Sequence, residues 1–211
     1  MLRANGSNAQ ATDQQASGPA TFGVMPLQGA QGHNSPMPST QPPAPRIAVY
    51  SGTFDPFTLG HDDVVRRAAG LFDQIIIAVA AAHHKKTVFT LQSRVEQVKR
   101  ATGHLPQVKV LPFDGLIVDF CAAQNASAVV RGIRNITDFD YEAQMAAMNR
   151  KLRPEVETVF LLPEAALQCI SSTLVREISK LGGDVSQMVS PAVAAALSTV
   201  HAEAAAMGSG A

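Results

Sequence analysis

The residue types and spacing best suited to chemistry lie in residues 51–61, which read S-G-T-F-D-P-F-T-L-G-H. This segment follows a short apolar run at 47–50 and precedes a helical pattern, so it joins a buried strand to a helix. Backbone N–H groups and the helix dipole favour an anion at such a junction. Gly52 lets the backbone approach a bound group, and His61 follows in the first helical turn. A plain turn shaped by Gly52 and Pro56, with His61 as a helix cap, is the simpler alternative, but the complete pattern indicates a phosphate site.

A second group of phosphate-binding residue types stands at the start of a helix late in the chain. Ser171, Ser172 and Thr173 place three hydroxyls beside the free N–H groups of that helix start. Such donors suit the phosphates of a nucleotide. A plain N-cap with two further hydroxyls is the alternative, and the presence of the first motif favours the phosphate interpretation.

Cationic side chains follow two of the apolar runs that we interpret as strands. They are Lys85, Arg131 and Arg134. Bringing two phosphate anions together in a dry site requires cations, because juxtaposed like charges repel strongly. The sequence shows no Ser-His-Asp arrangement or metal cage, which favours direct in-line attack at phosphorus. A solvated pair of loop lysines, Lys85 and Lys86, is the alternative for the first of these cations.

Strand and helix patterns alternate five times after residue 46, which predicts an α/β fold. Apolar runs predict strands at 47–50, 75–80, 108–111, 128–130 and 157–162. Helical patterns lie at 62–72, 90–101, 116–124, 138–152 and 171–180, the second with Thr90 as its N-cap. We therefore expect a Rossmann-like parallel five-stranded sheet with helices on both faces and the ligand site at the carboxyl ends of the strands.

Composition divides the chain of 211 residues into three parts. Residues 1–45 hold seven of the 13 prolines and only two charged residues, which predicts a disordered extension. Residues 46–200 form the predicted domain, and residues 201–211 a flexible tail. The formal net charge is zero and the longest apolar stretch is short, so we expect no nucleic-acid or membrane partner. Cys121 and Cys169 both read as small buried hydrophobic residues.

The two phosphate motifs resemble the signatures of the nucleotidylyltransferase superfamily. Between them the chain reads R-G-I-R-N-I-T-D-F-D-Y-E at 131–142 and M-N-R at 148–150, with K-K at 85–86 and F-T-L at 89–91. In order and spacing, residues 46–200 are similar to the bacterial phosphopantetheine adenylyltransferase family. The resemblance implies a nucleotidylyltransferase-type fold and reversible transfer of an adenylyl group from ATP to 4′-phosphopantetheine. The products would be dephospho-coenzyme A and pyrophosphate, on the route to coenzyme A.

The resemblance also implies a role for each matching residue. His61 would contact the α-phosphate of ATP, Thr53 would orient the attacking phosphate, and Lys85 with Arg131 would hold that phosphate. Ile117 would line the pantetheine channel, and Arg134 would clamp the leaving pyrophosphate. The full set of ATP contacts would be Thr53, Phe54, His61, Gly132, Ile133, Arg134, Glu142, Leu167, Gln168, Cys169, Ile170, Ser171, Ser172 and Thr173. The alternative for Glu142 is an ion pair with Arg134 or Arg150, and that for Met145 and Met148 is core or subunit contact.

The family further implies a Mg²⁺ ion bound mainly through the ATP phosphates, with no metal ligands from the protein. It implies a cytoplasmic homohexamer in which coenzyme A inhibits by occupying the active site. A nicotinate- or nicotinamide-mononucleotide adenylyltransferase shares both end motifs, but the middle of the chain argues against it. A nucleotide-binding protein without turnover is the other alternative.

The chain departs from the family pattern at Ser51, where proline is usual, and at His83 and His84, which we interpret as surface residues.

Overall fold

The computed structural model describes residues 44–82 and 86–208, all of which belong to one unit of the chain. Five strands form a single parallel sheet: β1 (Ile47–Gly52), β2 (Gln74–Ala80), β3 (Val108–Phe113), β4 (Ala128–Gly132) and β5 (Glu157–Leu161). All five predicted strands are confirmed, and the order across the sheet is β3-β2-β1-β4-β5. The predicted extension is described only at residues 44 and 45, so its disorder stays a prediction.

Six α-helices accompany the sheet in the described part of the chain: α1 (Leu59–Ala69), α2 (Leu91–Thr102), α3 (Ile117–Ala123), α4 (Ile136–Leu152), α5 (Ser172–Lys180) and α6 (Pro191–Gly208). A short 3-10 helix, Ala165–Leu167, precedes α5. Thr90 caps α2, as predicted, by accepting from Ser93 N–H. Two helices begin earlier than predicted because the sequence contains an earlier cap. Thr58 caps α1, and Asn135 caps α4 by accepting from Asp138 N–H.

Side chains of alternate strand residues pack on opposite faces of the sheet, so both faces carry helices, as predicted. On one face Ala48 and Tyr50 of β1 pack with residues of α1 and α2. On the other face Val49 packs with Val118 and Cys121 of α3. Burial raises the pKa of the Cys121 thiol to about 12, in keeping with a small buried hydrophobic residue. The same expectation is wrong for Cys169, which is exposed in the loop before α5.

The strand order creates a crevice at the carboxyl ends of the two neighbouring strands β1 and β4. The chain leaves β1 for β2 and β3 on one side, and then crosses back to β4 and β5 on the other side of β1. Ligands of open α/β sheets bind where the connections diverge in this way, outside the carboxyl ends of the strands. Tyr50 pairs in register with Val130, so the residues after β1 and at the end of β4 lie side by side at this crevice.

The sequence patterns indicate no helix after residue 180, whereas α6 extends from Pro191 to Gly208. Its apolar side chains Val193 and Leu197 are buried with Val175 of α5 in a third hydrophobic cluster. The many alanines of this segment weaken the contrast between its two faces, which hides the helical period from sequence reading. Residues 201–208, assigned to a flexible tail, are the last turns of this helix, and 209–211 lie outside the described residues.

Within the described ranges, none of the helices combines the length and the apolar character needed to cross a bilayer. This agrees with the short apolar stretches of the sequence.

Candidate active site

A cavity of about 660 Å³ opens at the crevice between β1 and β4. Its walls come from the loop after β1, the first turn of α1, the end of β4 with the start of α4, and the start of α5. The described lining residues are Tyr50, Ser51, Gly52, Thr53, Phe54, Asp55, Thr58, Gly60, His61, Val64, Lys86, Thr87, Arg131, Gly132, Arg134, Asp138, Glu142, Pro163, Ile170, Ser171, Ser172, Thr173 and Arg176. Both predicted phosphate motifs therefore face one space.

His61 is held at this cavity by the cap of α1. The backbone N–H of Thr58 donates to His61 Nδ1 over 3.0 Å, and His61 N–H donates to Thr58 Oγ1 over 3.4 Å. This is a reciprocal capping box with histidine in the place usually taken by glutamate or glutamine. The helix-cap alternative and the functional interpretation of His61 are thus compatible, because one ring nitrogen serves the cap and the other is left over.

Aromatic rings surround the His61 imidazole. It stacks on Phe57 with ring centroids 5.5 Å apart and meets the edge of Phe54 at 5.1 Å. Phe54 adopts a left-handed backbone (φ 49°), which is rare for an aromatic residue, and a Cβ at Gly52 would stand 2.8 Å from its ring. Gly52 is therefore required by the packing of Phe54. Burial, followed by the charges of Arg134 and Arg131, lowers the pKa of His61 to about 4, so its ring is neutral at pH 7.

Arg131, the last residue but one of β4, lines the cavity, and its charge is already paired. It forms a bidentate pair with Glu142 of α4, with Nε to Oε2 at 2.7 Å and a second bond from Nη2 to Oε1. Its Nη1 donates to the carbonyl of Ser51 at 2.7 Å and to the Ser51 hydroxyl at 3.1 Å. Burial opposes the charge, but the bonds to Glu142 outweigh it and raise the pKa of Arg131. Ser51 thus offers Arg131 a hydroxyl that the usual proline would lack.

Arg134 is held in a similar way, by a carboxylate one helical turn further on. Its Nε and Nη2 donate to the two oxygens of Asp138 over 2.9 and 3.1 Å, and its Nη1 lies 3.4 Å from the Ile170 carbonyl. The two ion-pair partners predicted as alternatives for Glu142, Arg134 and Arg150, are both wrong. Glu142 pairs with Arg131, and Arg150 pairs with Glu157.

The start of α5 closes the opposite side of the cavity. Ser171 caps this helix by accepting from Leu174 N–H at 3.1 Å, and the Ser172 hydroxyl donates to the Pro56 carbonyl at 2.8 Å. Arg176, one turn into the helix, donates to the Asp55 carbonyl. Two bonds therefore join α5 to the loop after β1, so the two phosphate motifs hold each other in place.

Most of the residues that the resemblance singled out share this cavity: Thr53, Phe54, His61, Arg131, Gly132, Arg134, Glu142, Ile170, Ser171, Ser172 and Thr173. Ile117 lines a smaller adjoining cavity of about 150 Å³, which also has Ser51, Arg131 and Glu142 in its walls. Besides Ile117, four of the predicted residues that the structure describes do not line the main cavity. Ile133 is buried beside it, and Leu167, Gln168 and Cys169 precede α5. Lys85, His83 and His84 lie outside the described residues.

Sequence reasoning missed several residues that build the site. Arg94 of α2 is only 1% exposed and donates to the carbonyls of Thr53 and Ala80, each at 2.7 Å, at the ends of β1 and β2. The Asp55 carboxylate accepts the N–H groups of Val88 and Phe89 at 2.9 and 3.0 Å, which ties residues 88 and 89 to the loop after β1. Asp55 stood within the first motif, but Arg94 gave no signal because its helix pattern fits a surface position equally well.

Tyr50 was also missed as a lining residue. Its side chain is 5% exposed, and its hydroxyl oxygen lies 3.6 Å from the point where a Cβ would stand at Gly132. Burial raises the pKa of Tyr50 despite the nearby Arg131 and Arg134, so the phenol keeps its proton. The apolar pattern predicts Tyr50 only as the last residue of a buried strand. Its ring is buried as predicted, but the pattern gives no indication that the side chain also lines the cavity.

Positive charge exceeds negative charge only slightly among the described lining residues. Lys86, Arg131, Arg134 and Arg176 stand against Asp55, Asp138 and Glu142. In the described part of the chain, no three His, Cys, Asp or Glu side chains come together as metal ligands would. The cavity carboxylates are committed to guanidinium or N–H donors, so the donor set fits a Mg²⁺ ion that arrives on phosphate oxygens better than one held by the protein.

Comparisons with known proteins show the family and the fold of the chain. A sequence model of the cytidylyltransferase-like family matches residues 49–178. Phosphopantetheine adenylyltransferases of Acidovorax sp. (strain JS42), Azoarcus sp. (strain BH72) and Bordetella pertussis are 62%, 54% and 52% identical over 147 residues. Each match covers 70% of this chain and 87–90% of the relative. A solved structure of a putative nicotinate-nucleotide adenylyltransferase from Vibrio parahaemolyticus shares the fold at 16% identity (TM-score 0.51, 72% of this chain and 90% of that one).

The fold and the paired phosphate motifs thus define a nucleotidyltransferase of the cytidylyltransferase-like class. Within that class, the extent and identity of the matches show that the chain belongs to the phosphopantetheine adenylyltransferase family. The resemblance stated from the sequence is therefore confirmed.

Proposed function

We propose that this protein transfers the adenylyl group of ATP to 4′-phosphopantetheine, releasing pyrophosphate and dephospho-coenzyme A in coenzyme A biosynthesis. The observation that carries the proposal is the pair of adjoining cavities. The larger one brings His61 and the start of α5 together, and the smaller one, lined by Ile117, shares the Arg131–Glu142 pair with it. A phosphate placed at Arg131 would reach into both spaces, as an acceptor with a long uncharged arm requires.

On the nucleotide side, we assign the triphosphate to His61, Arg134 and the start of α5. Free backbone N–H groups and the helix dipole favour phosphate at α5, and Arg134 lies beside this helix through its contact with the Ile170 carbonyl. Phe54, Gly132, Ile133, Glu142 and the loop residues Leu167, Gln168 and Cys169 are assigned further ATP contacts by family membership. We expect the loop residues to reach ATP only if their side chains turn toward the cavity, which they do not line.

On the acceptor side, we assign the phosphate to Thr53, Lys85 and Arg131, and the pantetheine arm to the cavity of Ile117. Thr53 directly follows β1 and lines the main cavity, close to both assigned positions. The guanidinium of Arg131 provides N–H donors in the fork geometry that suits phosphate oxygens.

The reaction then proceeds without a covalent enzyme intermediate. A phosphate oxygen of the acceptor attacks the α-phosphorus, a P–O bond forms, and the bond from the α-phosphorus to the bridging oxygen of the β-phosphate breaks. The electron pair leaves with pyrophosphate. A Mg²⁺ ion bound to the phosphates of ATP supplies charge neutralisation there. The residues of this chain orient the two phosphates and stabilise the charge that develops on the α-phosphate oxygens.

An acceptor-exchange assay tests the proposal. Protein, ATP and Mg²⁺ should release pyrophosphate with 4′-phosphopantetheine and not with nicotinate or nicotinamide mononucleotide. Arg100→Ala, which changes an exposed cation of α2, serves as a control that should keep full activity. Lys85→Ala should chiefly raise the KM of the acceptor. Pyrophosphate release only with a mononucleotide, or with no acceptor tested, would contradict the proposal.

We also propose that the protein acts in the cytoplasm as a homohexamer and that coenzyme A inhibits it at the active site. Support for assembly comes from α4, where Tyr141, Met145, Met148 and Leu152 follow a 4-3-4 spacing and are 63%, 38%, 56% and 54% exposed. We call these four residues the α4 stripe. Tyr141 and Met145 also line the smaller cavity, so a neighbouring subunit packed on the stripe would help to close it.

A further inference from the structure

Thr58 contacts His61 at three points, more than the helix cap alone requires. Its backbone N–H lies 3.0 Å from His61 Nδ1, its hydroxyl oxygen also lies 3.0 Å from Nδ1, and that oxygen accepts the His61 N–H at 3.4 Å. Thr58 is 2% exposed, so water does not compete for these bonds. Thr58 therefore provides the hydrogen bonds to the Nδ1 atom of the imidazole.

The contacts specify which ring nitrogen carries the proton. A backbone N–H can only donate, so Nδ1 must present its lone pair to Thr58. The Thr58 hydroxyl can donate to the same lone pair while its oxygen accepts from His61 N–H. A neutral imidazole holds its one N–H proton on the other nitrogen, Nε2. Within the described residues, Nε2 has no protein acceptor, and His61 lines the cavity, so the Nε2–H group is available to a ligand.

The same contacts oppose a second proton on the ring. Protonation of Nδ1 would point its N–H at the Thr58 N–H, and hydrogen bonding to the neutral form disfavours the charged one. Burial and the charges of Arg134 and Arg131 act in the same direction, and together they lower the pKa of His61 to about 4. The titratable and charged described groups that share the cavity with His61 are Tyr50, Asp55, Lys86, Arg131, Arg134, Asp138, Glu142 and Arg176.

We propose that Thr58 is a positioning residue that locks His61 in its neutral, Nε2-protonated form. His61 then serves the transfer as a fixed hydrogen-bond donor and neither gives nor takes a proton. This inference rests on the proposed function for its catalytic meaning, and on the Thr58 contacts alone for the state of the ring.

A fixed neutral donor suits the bond changes of adenylyl transfer. The new P–O bond forms from an ionised phosphate and the old one breaks to give pyrophosphate, so no proton has to move for the step to balance. What changes is the charge on the α-phosphate oxygens, and an N–H group aimed at them stabilises that charge without reorganisation. The aromatic packing against Phe54 and Phe57 keeps the ring in the orientation that Thr58 selects.

Nitrogen NMR of the full chain labelled at histidine reads the ring state directly, without substrates. We expect His61 to show an unprotonated Nδ1 and a protonated Nε2 at neutral pH, and to titrate well below the other histidines. The His61→Asn variant assigns its signals. A proton on Nδ1 at neutral pH, or a His61 pKa near the ordinary value of about 6.5, would overturn the proposal even if no other variant folds.

A matched pair of substitutions separates charge from shape. Asp and Asn are both good N-caps, so Thr58→Asp and Thr58→Asn should each keep α1. The carboxylate of Thr58→Asp can accept a proton from Nδ1, and we expect it to raise the pKa of His61 by about 1–3 units. Thr58→Asn should leave Nδ1 unprotonated at neutral pH. An equal shift in both variants would mean that Thr58 acts only through the fold.

The ratio of kcat between wild type and His61→Asn tests the catalytic meaning. Because His61 stays neutral, we expect this ratio to be constant between about pH 5 and 8, the range in which ordinary histidines titrate. In the Thr58→Asp background the same ratio should change with pH around the raised pKa of His61. A wild-type ratio that follows an imidazole titration would refute the fixed-donor role. Failure of the acceptor assay with the expected NMR spectrum would instead refute the proposed function and leave the ring state intact.

Discussion

At the scale of single residues, His61 combines two tasks in one ring. Nδ1 completes the cap of α1, and Nε2 is left for the ligand. A substitution can therefore remove either the donor alone or the donor together with the cap. Asparagine places its side-chain oxygen near the position of Nδ1 and has no atom in the position of Nε2. This separation makes the catalytic contribution measurable without confusion from folding.

We expect His61→Ala and His61→Asn both to lower kcat by about 10²–10³-fold, the usual effect of losing one charge-stabilising donor. The affinity for ATP should change little in either variant, because the triphosphate keeps its other donors. His61→Ala should lower the free energy of unfolding by about 1 kcal/mol more than His61→Asn does, through the lost cap. Steady-state kinetics, ATP titration and urea unfolding measure the three quantities. An effect on KM alone would contradict the assigned role.

The lowered pKa of His61 also predicts how stability depends on pH. Its value of about 4 lies below the unfolded value of 6.5, so between these pH values the unfolded chain takes up a proton that the folded chain does not. The free energy of unfolding of the wild type, measured relative to that of His61→Asn, should therefore be constant above about pH 6.5. It should fall by about 3 kcal/mol as the pH drops from there to about 4. Parallel urea unfolding of the two proteins measures this difference, and a constant difference over the range would contradict it.

At the scale of elements, the site depends on ties between the ends of neighbouring strands. Arg94 reaches from α2 to the carbonyls that end β1 and β2, and its Nε also bonds the Phe89 carbonyl at 3.2 Å. Carbonyls at the end of a strand have lost their ladder partners, and buried ones need another donor. One guanidinium meets that need for three segments that converge at the cavity. It is buried and forms no ion pair with a carboxylate of the described residues, which indicates a structural cation.

We expect Arg94→Met to lower the free energy of unfolding by about 3 kcal/mol or more, because it leaves several buried carbonyls without donors. Arg94→Lys should cost less, since an ammonium can still reach part of the set. Arg100→Met, in the exposed part of the same helix, is the matched control and should stay within about 0.5 kcal/mol of wild type. Urea unfolding measures these free energies. An equal effect at Arg94 and Arg100 would contradict a stabilising role for the bonds from Arg94 to the strand-end carbonyls.

At the scale of the whole molecule, sequence reading succeeded where local pattern and topology agree. Alternating strands and helices predicted the sheet, and most of the strand-end cations and helix-start hydroxyls singled out from the sequence line one cavity. The carboxylates that pair with those cations could not be predicted from the sequence, because the pairing depends on the residue at which α4 begins. Asn135 starts this helix two residues early, which sets Asp138 beside Arg134 and Glu142 beside Arg131. The inward turn of Arg94 and the helix of the alanine-rich Pro191–Gly208 segment likewise depend on tertiary packing.

The α4 stripe leads to a prediction about assembly. We expect the wild-type protein to have a solution mass about six times that of the 22.2 kDa chain, and Met148→Glu to reduce it by placing a charge in the apolar contact. Leu181→Glu, at a residue that is 88% exposed at the end of α5, is the control and should leave the mass unchanged. Light scattering after size exclusion measures both. A monomer in the wild type, or equal effects of the two substitutions, would contradict assembly through the stripe.

The carboxylates that grip Arg131 and Arg134 have a consequence for the working cycle. Between turnovers Glu142 and Asp138 keep both guanidinium forks extended and aligned, so the rotamer freedom of these long side chains is lost during folding rather than at each encounter. Under the proposed function, we expect an incoming phosphate to meet two guanidinium groups that Glu142 and Asp138 have already oriented. The entropy cost of ordering these two side chains would then not recur with each molecule that binds.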